Sequence, residues 1–192
     1  DVVVGPQTGD DKYYLRKKKG AKGTQPIVDE SLIINQNDVI SIIENEQLRE
    51  SIIKNGISED MFDGRVYVPY GKPHPMSRDN LLMFGSEDYY WINWSTDSVR
   101  EMKSFSRADV RRRKDPDFVG TQVQEKERAA VIRNPSYYFS YGIHYTRLGE
   151  RAPQFWKSSI GIFGNEAPLI VSKYVDANIL LSFLVSHPFR YL

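Results

Sequence analysis

Between Val131 and Val171 the chain interleaves aromatic rings (Tyr137, Tyr138, Phe139, Tyr141, Tyr145, Phe155, Trp156) with Arg133, His144, Arg147, Arg151 and Lys157. Flat rings stack on bases, and guanidinium forks match phosphate oxygens and guanine edges, so this mixture suits a nucleic-acid surface. The same residues suit a tyrosine-rich β core with basic side chains snorkelling at its rim. Composition leaves both open. Two further clusters carry positive charge: Arg16, Lys17, Lys18, Lys19 and Lys22 near the start, and Arg107, Arg111, Arg112, Arg113 and Lys114 further on. Each is either a solvated run or a contact to phosphate. The four cations from Arg111 to Lys114 go all round a helix, so at least one is solvated whatever the others do.

Groupings that would carry catalysis are incomplete. Asn134-Pro-Ser-Tyr137 approaches the Asn-Pro-Pro-Tyr loop that holds a flipped adenine in amino-methyltransferases. Ser136 stands at the second proline, and no Gly-rich strand-to-helix turn for S-adenosylmethionine accompanies it. Pro116-Asp117 with Glu125-Lys126 has Gln124 where a metal-dependent nuclease needs a second carboxylate. Such a set cannot hold a divalent ion and orient its water. His74, His144 and His187 have no metal-ligand spacing. Gly161-Ile-Phe-Gly164 lacks the lysine of a phosphate loop. No catalytic residue and no metal ligand is expected.

The elements that must position these residues follow from periodicity and punctuation. Alternation from Tyr141 to Arg147 predicts strands, as do Arg65–Tyr70, Tyr89–Trp94 and the opening Val2–Val4. Helices are expected over Asp38–Glu44, capped by Asn37, and over Gln47–Lys54, capped by Asn45 and stopped at Asn55-Gly56. Another runs from a Ser95 or Thr96 cap to Phe105, and another over Arg107–Lys114. A last one, Ala177–Leu192, is capped by Asp176 and carries the apolar stripe Ile179, Leu180, Phe183, Leu184 and Tyr191, with Pro188 kinking or ending it. The acidic flank from Asp29 to Asp63 has only Arg49 and Lys54 as basic residues and should face away from any DNA. Together these give an α+β fold with a mixed sheet of short strands, read as one domain over residues 1–192.

With 192 residues, 40% hydrophobic and 27% charged, the chain can bury a substantial core. Its net charge of +1 does not itself announce a nucleic-acid partner. No apolar run is long enough for a membrane span, and the opening residues lack the pattern of a signal peptide. The absence of cysteine fits a reducing cytoplasm.

Several segments, in order, resemble the C-terminal target-recognition region of bacterial adenine-N6 DNA methyltransferases, the single-chain type IIG restriction–modification enzymes and the PglX-type enzymes of BREX phage defence. They are Gly5-Pro-Gln-Thr8-Gly9-Asp10 through Tyr14-Leu15, Tyr90-Trp-Ile-Asn-Trp94, Arg133 to Ile143, Gly161-Ile-Phe163 and the helix Leu180–Leu192. The similarity spans most of the chain. The family's following Val-Gly-Asp-Ile segment lies beyond the end of this sequence, and its methyl-transfer domain would lie upstream. The resemblance implies a recognition module without activity of its own, binding double-stranded DNA for a methyltransferase domain in the same parent chain. It implies no cofactor in this fragment and S-adenosylmethionine in the parent. The two basic clusters are then the phosphate contacts. Arg133, Tyr137, Tyr138, Tyr145, Arg147, Arg151, Gln154 and Lys157 are the candidates for base contact or stacking, with about half of the rings buried as core. The reading from a different class is a protein-interaction or scaffold module of a phage-defence complex that does not touch DNA.

Overall fold

Local signals start and stop most of the helices. The computed structural model describes residues 1–73, 90–146, 154–158 and 160–186. Asn45 caps α3 (Glu46–Asn55), which ends at Gly56 with φ of 86°. Ser95 caps α4 (Thr96–Ser104), and Asp176 accepts from the amides of Asn178 and Ile179 to start α7 (Ala177–Leu184). The cap of α2 (Gln36–Glu44) is Asn35 rather than Asn37, because Asp38 reaches back to the Asn35 amide and completes a reciprocal box. Ser106 and Asp109 make the same box at α5 (Arg107–Arg112), and Thr121 with Gln124 makes it at α6 (Gln122–Lys126), a helix the apolar pattern does not announce. The first helix, α1 (Asp11–Tyr14), is a single turn.

Two four-stranded sheets complete an α+β fold. One has the order β1 (Val2–Val3), β8 (Leu169–Ile170), β5 (Ile143–Tyr145), β6 (Phe155–Lys157), antiparallel throughout. The other has the order β2 (Leu15–Lys17), β4 (Tyr90–Asn93), β3 (Tyr67–Gly71), β7 (Ile162–Phe163), with β3 and β7 parallel. β3 starts two residues later than expected, because Phe62, Asp63 and Gly64 all take positive φ and occupy the chain with a tight turn. Tyr89, His74 and Arg147, assigned to neighbouring strands and breaks from sequence, lie outside the described residues.

One core joins the sheets. Trp94 is fully buried and donates from Nε1 to the Ile52 carbonyl at 2.9 Å, fixing α3 to the end of β4. Its ring meets Tyr138 edge-on at 5.8 Å, and Tyr138 meets Phe163 edge-on at 5.7 Å. Burying each such side chain contributes ~1.5–3 kcal/mol, so the stretch from 131 to 171 is tied to the rest of the fold through its rings. β5 is present, but both Ile143 and His144 are buried, since His144 packs on Trp156 and Phe163. The outward polar face expected of that alternation is therefore covered. In α7 the buried residue is Leu181, while Ile179 and Phe183 are 66% and 58% exposed. Of the expected apolar stripe, Leu180 and Leu184 are half-buried beside Leu181, while Ile179 and Phe183 lie off the packed face. The helix ends at Leu184, and Pro188 and Tyr191 lie outside the described residues. Among the described residues, no helix is long and apolar enough to cross a membrane.

Candidate nucleic-acid interface

The two basic runs, some ninety residues apart in sequence, meet at α1. Tyr14 is buried, and its hydroxyl accepts from Arg113 Nη2 at 2.9 Å. The same Nη2 lies 2.5 Å from Glu101 Oε2. The Arg113 guanidinium carbon stands 3.8 Å from the ring centre of Tyr13, 4.8 Å from Phe105 and 5.1 Å from Tyr14. Its Nη1 is buried and has no hydrogen-bond partner among the described residues. Three ring faces around the cation supply the electrostatic attraction that an oxygen would otherwise provide. The frame continues along both segments: Arg16 Nη1 donates to the Tyr13 carbonyl at 2.9 Å, and Lys114 Nζ lies 3.7 Å from Asp10. Lys12, Tyr13, Arg113 and Lys114 line a cleft of about 560 Å³ together with Asp10, Glu101 and Phe105. Lys12 is exposed on it and Tyr13 is 46% exposed.

Beyond α1 the first basic run leaves the sheet. Lys17 closes β2 opposite Tyr90, its amide takes the Pro26 carbonyl at 2.9 Å, and the Val28 amide returns to the Lys17 carbonyl. The intervening residues form a loop cinched at its neck. Tyr90 donates its hydroxyl to the Lys22 carbonyl at 2.8 Å, and Lys17 Nζ donates to the Gly23 carbonyl at 2.8 Å. Lys18, Lys19 and Lys22 are exposed on this loop. Arg16 is half-buried, its guanidinium 5.5 Å from the Tyr67 ring. Among the described residues, Arg16, Lys17, Lys19 and Lys22 face no carboxylate within ion-pair distance.

The second run is mostly paired. Arg107 meets Glu127 at 3.0 Å, and Arg112 meets Asp109 at 3.1 Å and also Glu125. Donating to the Glu125 carboxylate raises the Arg112 pKa above its ordinary value. Arg111 lies over the Phe118 ring at 5.3 Å. Arg107, Arg112 and Arg113 therefore hold α5 to α6, to the strand-like return at Glu127 and to α4, and leave Arg111 and Lys114 as the more open cations of this run.

The aromatic stretch divides. Tyr138 is core; burial pushes its hydroxyl pKa well up, and the hydroxyl donates to the Arg133 carbonyl at 2.9 Å. Tyr137 is half-buried and donates to Asp1 Oδ2 at 2.9 Å. Tyr145 is half-buried beside Phe155, ring centres 6.2 Å apart. β5 and β6 form an antiparallel ribbon with Tyr145 opposite Phe155 and Ile143 opposite Lys157. Past Tyr145 the Thr146 amide takes the Gln154 carbonyl at 3.0 Å, and the Gln154 amide takes Thr146 Oγ1 at 2.9 Å. Arg147 and Arg151 fall between Thr146 and Gln154 in sequence and lie outside the described residues. Gln154 and Lys157 are half-buried on the ribbon.

No family model matches this chain, and no curated protein matches it. Among the described residues, no group of three or more histidine, aspartate or glutamate side chains is placed to hold a metal ion. Lys12 and Tyr13 are absent from the candidates read from sequence. Lys12 sits between two aspartates and two tyrosines, and only the single turn of α1 shows that it shares a cleft with residues of the second run. The adjacency of Asp10-Asp11 to two Tyr residues carries no periodic signal that would have revealed it.

Proposed function

We propose that this chain is a sequence-specific DNA recognition module, serving an adenine-N6 methyltransferase domain of a longer, S-adenosylmethionine-dependent parent enzyme of restriction–modification or phage defence. The observation that supports it is the junction at α1, where Tyr13 receives one residue of each basic run, Arg113 against its ring at 3.8 Å and Arg16 at its carbonyl at 2.9 Å. Phosphates run past Lys19 and Lys22 on the loop after β2, then past Lys12 and Lys114 at the cleft. Arg16 and Arg113 hold the frame from behind, through carbonyl and ring contacts. β6 is an edge strand of its sheet, and Lys157 on it, Gln154 just before it, and Arg147 and Arg151 in the sequence between β5 and β6 are the candidates for base-edge contact. Phosphate contacts set register and ribbon contacts read bases. The adenine-methyltransferase partner comes from the resemblance of the motifs in order, and the cytoplasmic setting from the cysteine-free composition.

The test is selection from a randomised duplex pool, with the bound fraction sequenced. One enriched site supports a recognition module. Retention without enrichment contradicts sequence reading, and no retention contradicts DNA binding. One feature favours the alternative of a protein-interaction module: Tyr174, Ile179 and Phe183 are 96%, 66% and 58% exposed on and just before α7. Exposed apolar patches of this kind mark protein contacts.

A further inference from the structure

A second cleft, of about 290 Å³, lies between the N-terminal segment, the end of β3 and the turn after β7. The polar side chains that line it are Gln7, Asp11, Tyr70, Lys72, Asn165 and Glu166, of which Asp11, Lys72 and Glu166 are charged. Lys72 Nζ lies 2.7 Å from Asp11 Oδ2 and 3.8 Å from Glu166 Oε2. Tyr70 is 7% exposed, and among the described residues its hydroxyl finds only the Pro6 carbonyl, at 3.5 Å. Hydroxyl hydrogen bonds are normally about 2.5–3.0 Å, so this buried donor lacks a full-strength partner. A glycine keeps one wall thin: a side chain at Gly164 would stand 2.8 Å from the Tyr70 hydroxyl. The volume sits at the small end of the ~300–1,000 Å³ usual for ligand sites, room for one heterocycle and not for a base pair.

The arrangement sets donors beside acceptors. Lys72 and Tyr70 offer hydrogens, while Asp11 and Glu166 take them, with one negative charge in excess. Guanine is the base whose complementary edge carries a carbonyl next to two N–H groups, O6 beside N1–H and the 2-amino group. A carboxylate takes those two hydrogens as a fork, and an ammonium suits O6. Adenine, cytosine and thymine each offer a single N–H group on that edge. We propose that this cleft binds one unpaired guanine base, Glu166 accepting from N1–H and the 2-amino group and Lys72 donating to O6. The proposal rests on the nucleic-acid reading above only for the source of the base. The edge used is the one that pairs with cytosine, so the base enters unpaired.

The experiment is calorimetric titration of the chain with guanosine, adenosine, cytidine and thymidine 5′-monophosphates, and with inosine 5′-monophosphate, which lacks the 2-amino group. Guanosine monophosphate is expected to bind about tenfold or more tightly than the other three, with inosine monophosphate weaker by a similar factor, as for sites that hydrogen-bond a group the analogue lacks. Glu166→Gln, at a side chain 59% exposed, should remove about tenfold of that affinity with an unchanged melting temperature. Equal binding of all four, or no loss in Glu166→Gln, overturns the proposal. A duplex with one bulged guanine, compared with the same duplex bulged at adenine, identifies the source. Preference for the bulged guanine supports a base delivered by nucleic acid. Guanosine monophosphate binding with no duplex binding at any salt keeps the guanine site and sinks the nucleic-acid reading.

Discussion

Arg113 illustrates how a cation in a basic run becomes structure. Its guanidinium bonds Glu101 and Tyr14 and sits among three rings, and its side chain is only 16% exposed. Removing it strands Glu101 and empties the stack, so Arg113→Ala should cost about 3 kcal/mol, as for a broken part-buried pair. Chemical denaturation measures this, and a loss under about 1 kcal/mol would contradict the anchoring role. Arg113→Lys keeps the charge but not the planar stack, and should recover less than half of the loss. His144 is a second residue whose chemistry is set by packing. Burial pulls its pKa down to about 4, against the partial help of the Pro168 and Ala167 carbonyls. The unfolded chain binds a proton there near pH 6.5 and the folded chain does not. Stability from His144 is thus fully present above about 6.5 and is lost as pH falls from there toward 4, by roughly 3 kcal/mol in all. His144→Phe should flatten that part of the stability curve. A profile unchanged by the substitution would contradict a buried neutral imidazole.

At the scale of elements, caps separate what sequence discloses from what it does not. Asn45 and Asp176 were readable because no neighbour competes with them, and Ser95 was one of two adjacent candidates with Thr96. Asn35 and Asn37 are alternative caps two residues apart, and the choice depends on Asp38, which also bonds Arg65 at 2.8 Å before β3. A contact across 27 residues is invisible to local pattern. Asn35→Ala should therefore lower stability by about 1 kcal/mol, while Asn37→Ala should stay within about 0.5 kcal/mol. The reverse order in thermal melts would contradict the assigned cap. Asp38 also links this element to pH. Burial alone would raise its pKa, but hydrogen bonds from Arg65 and the Asn35 amide outweigh it and hold the carboxylate below its usual range. Its contribution is present above about pH 4 and disappears as pH falls below that. β1, β3, β4 and β5 were legible from alternation, whereas β2, β6, β7 and β8, each of two or three residues, were not, and neither were the faces that pack. His144 is covered by Trp156 and Phe163, and half of the α7 stripe, Ile179 and Phe183, is exposed, because which face packs is decided by partners distant in sequence.

For the whole molecule, a net charge of +1 hides an uneven distribution. The acidic segment from 29 to 63 builds α2 and α3, whereas the cations of the first run sit on β2 and its loop. Both basic runs were legible as sequence; that they converge was not, since it depends on Tyr13 and Tyr14 meeting Arg113. Pairing divides the second run, with Arg107 and Arg112 held by Glu127 and Glu125. The account accordingly assigns phosphate contact to Lys12, Lys19, Lys22 and Lys114, and framework roles to Arg112 and Arg113. The most direct measurement is fluorescence anisotropy of the chain with a random-sequence duplex across a salt series, for the native chain and for Lys12→Ala/Lys19→Ala/Lys22→Ala/Lys114→Ala. Each phosphate contact contributes about 0.9 to the slope of log affinity against log salt. The account predicts micromolar binding at low salt that weakens steeply, and a slope shallower by up to about 3.6 in the variant. No binding at low salt, or the same slope in both proteins, would contradict it.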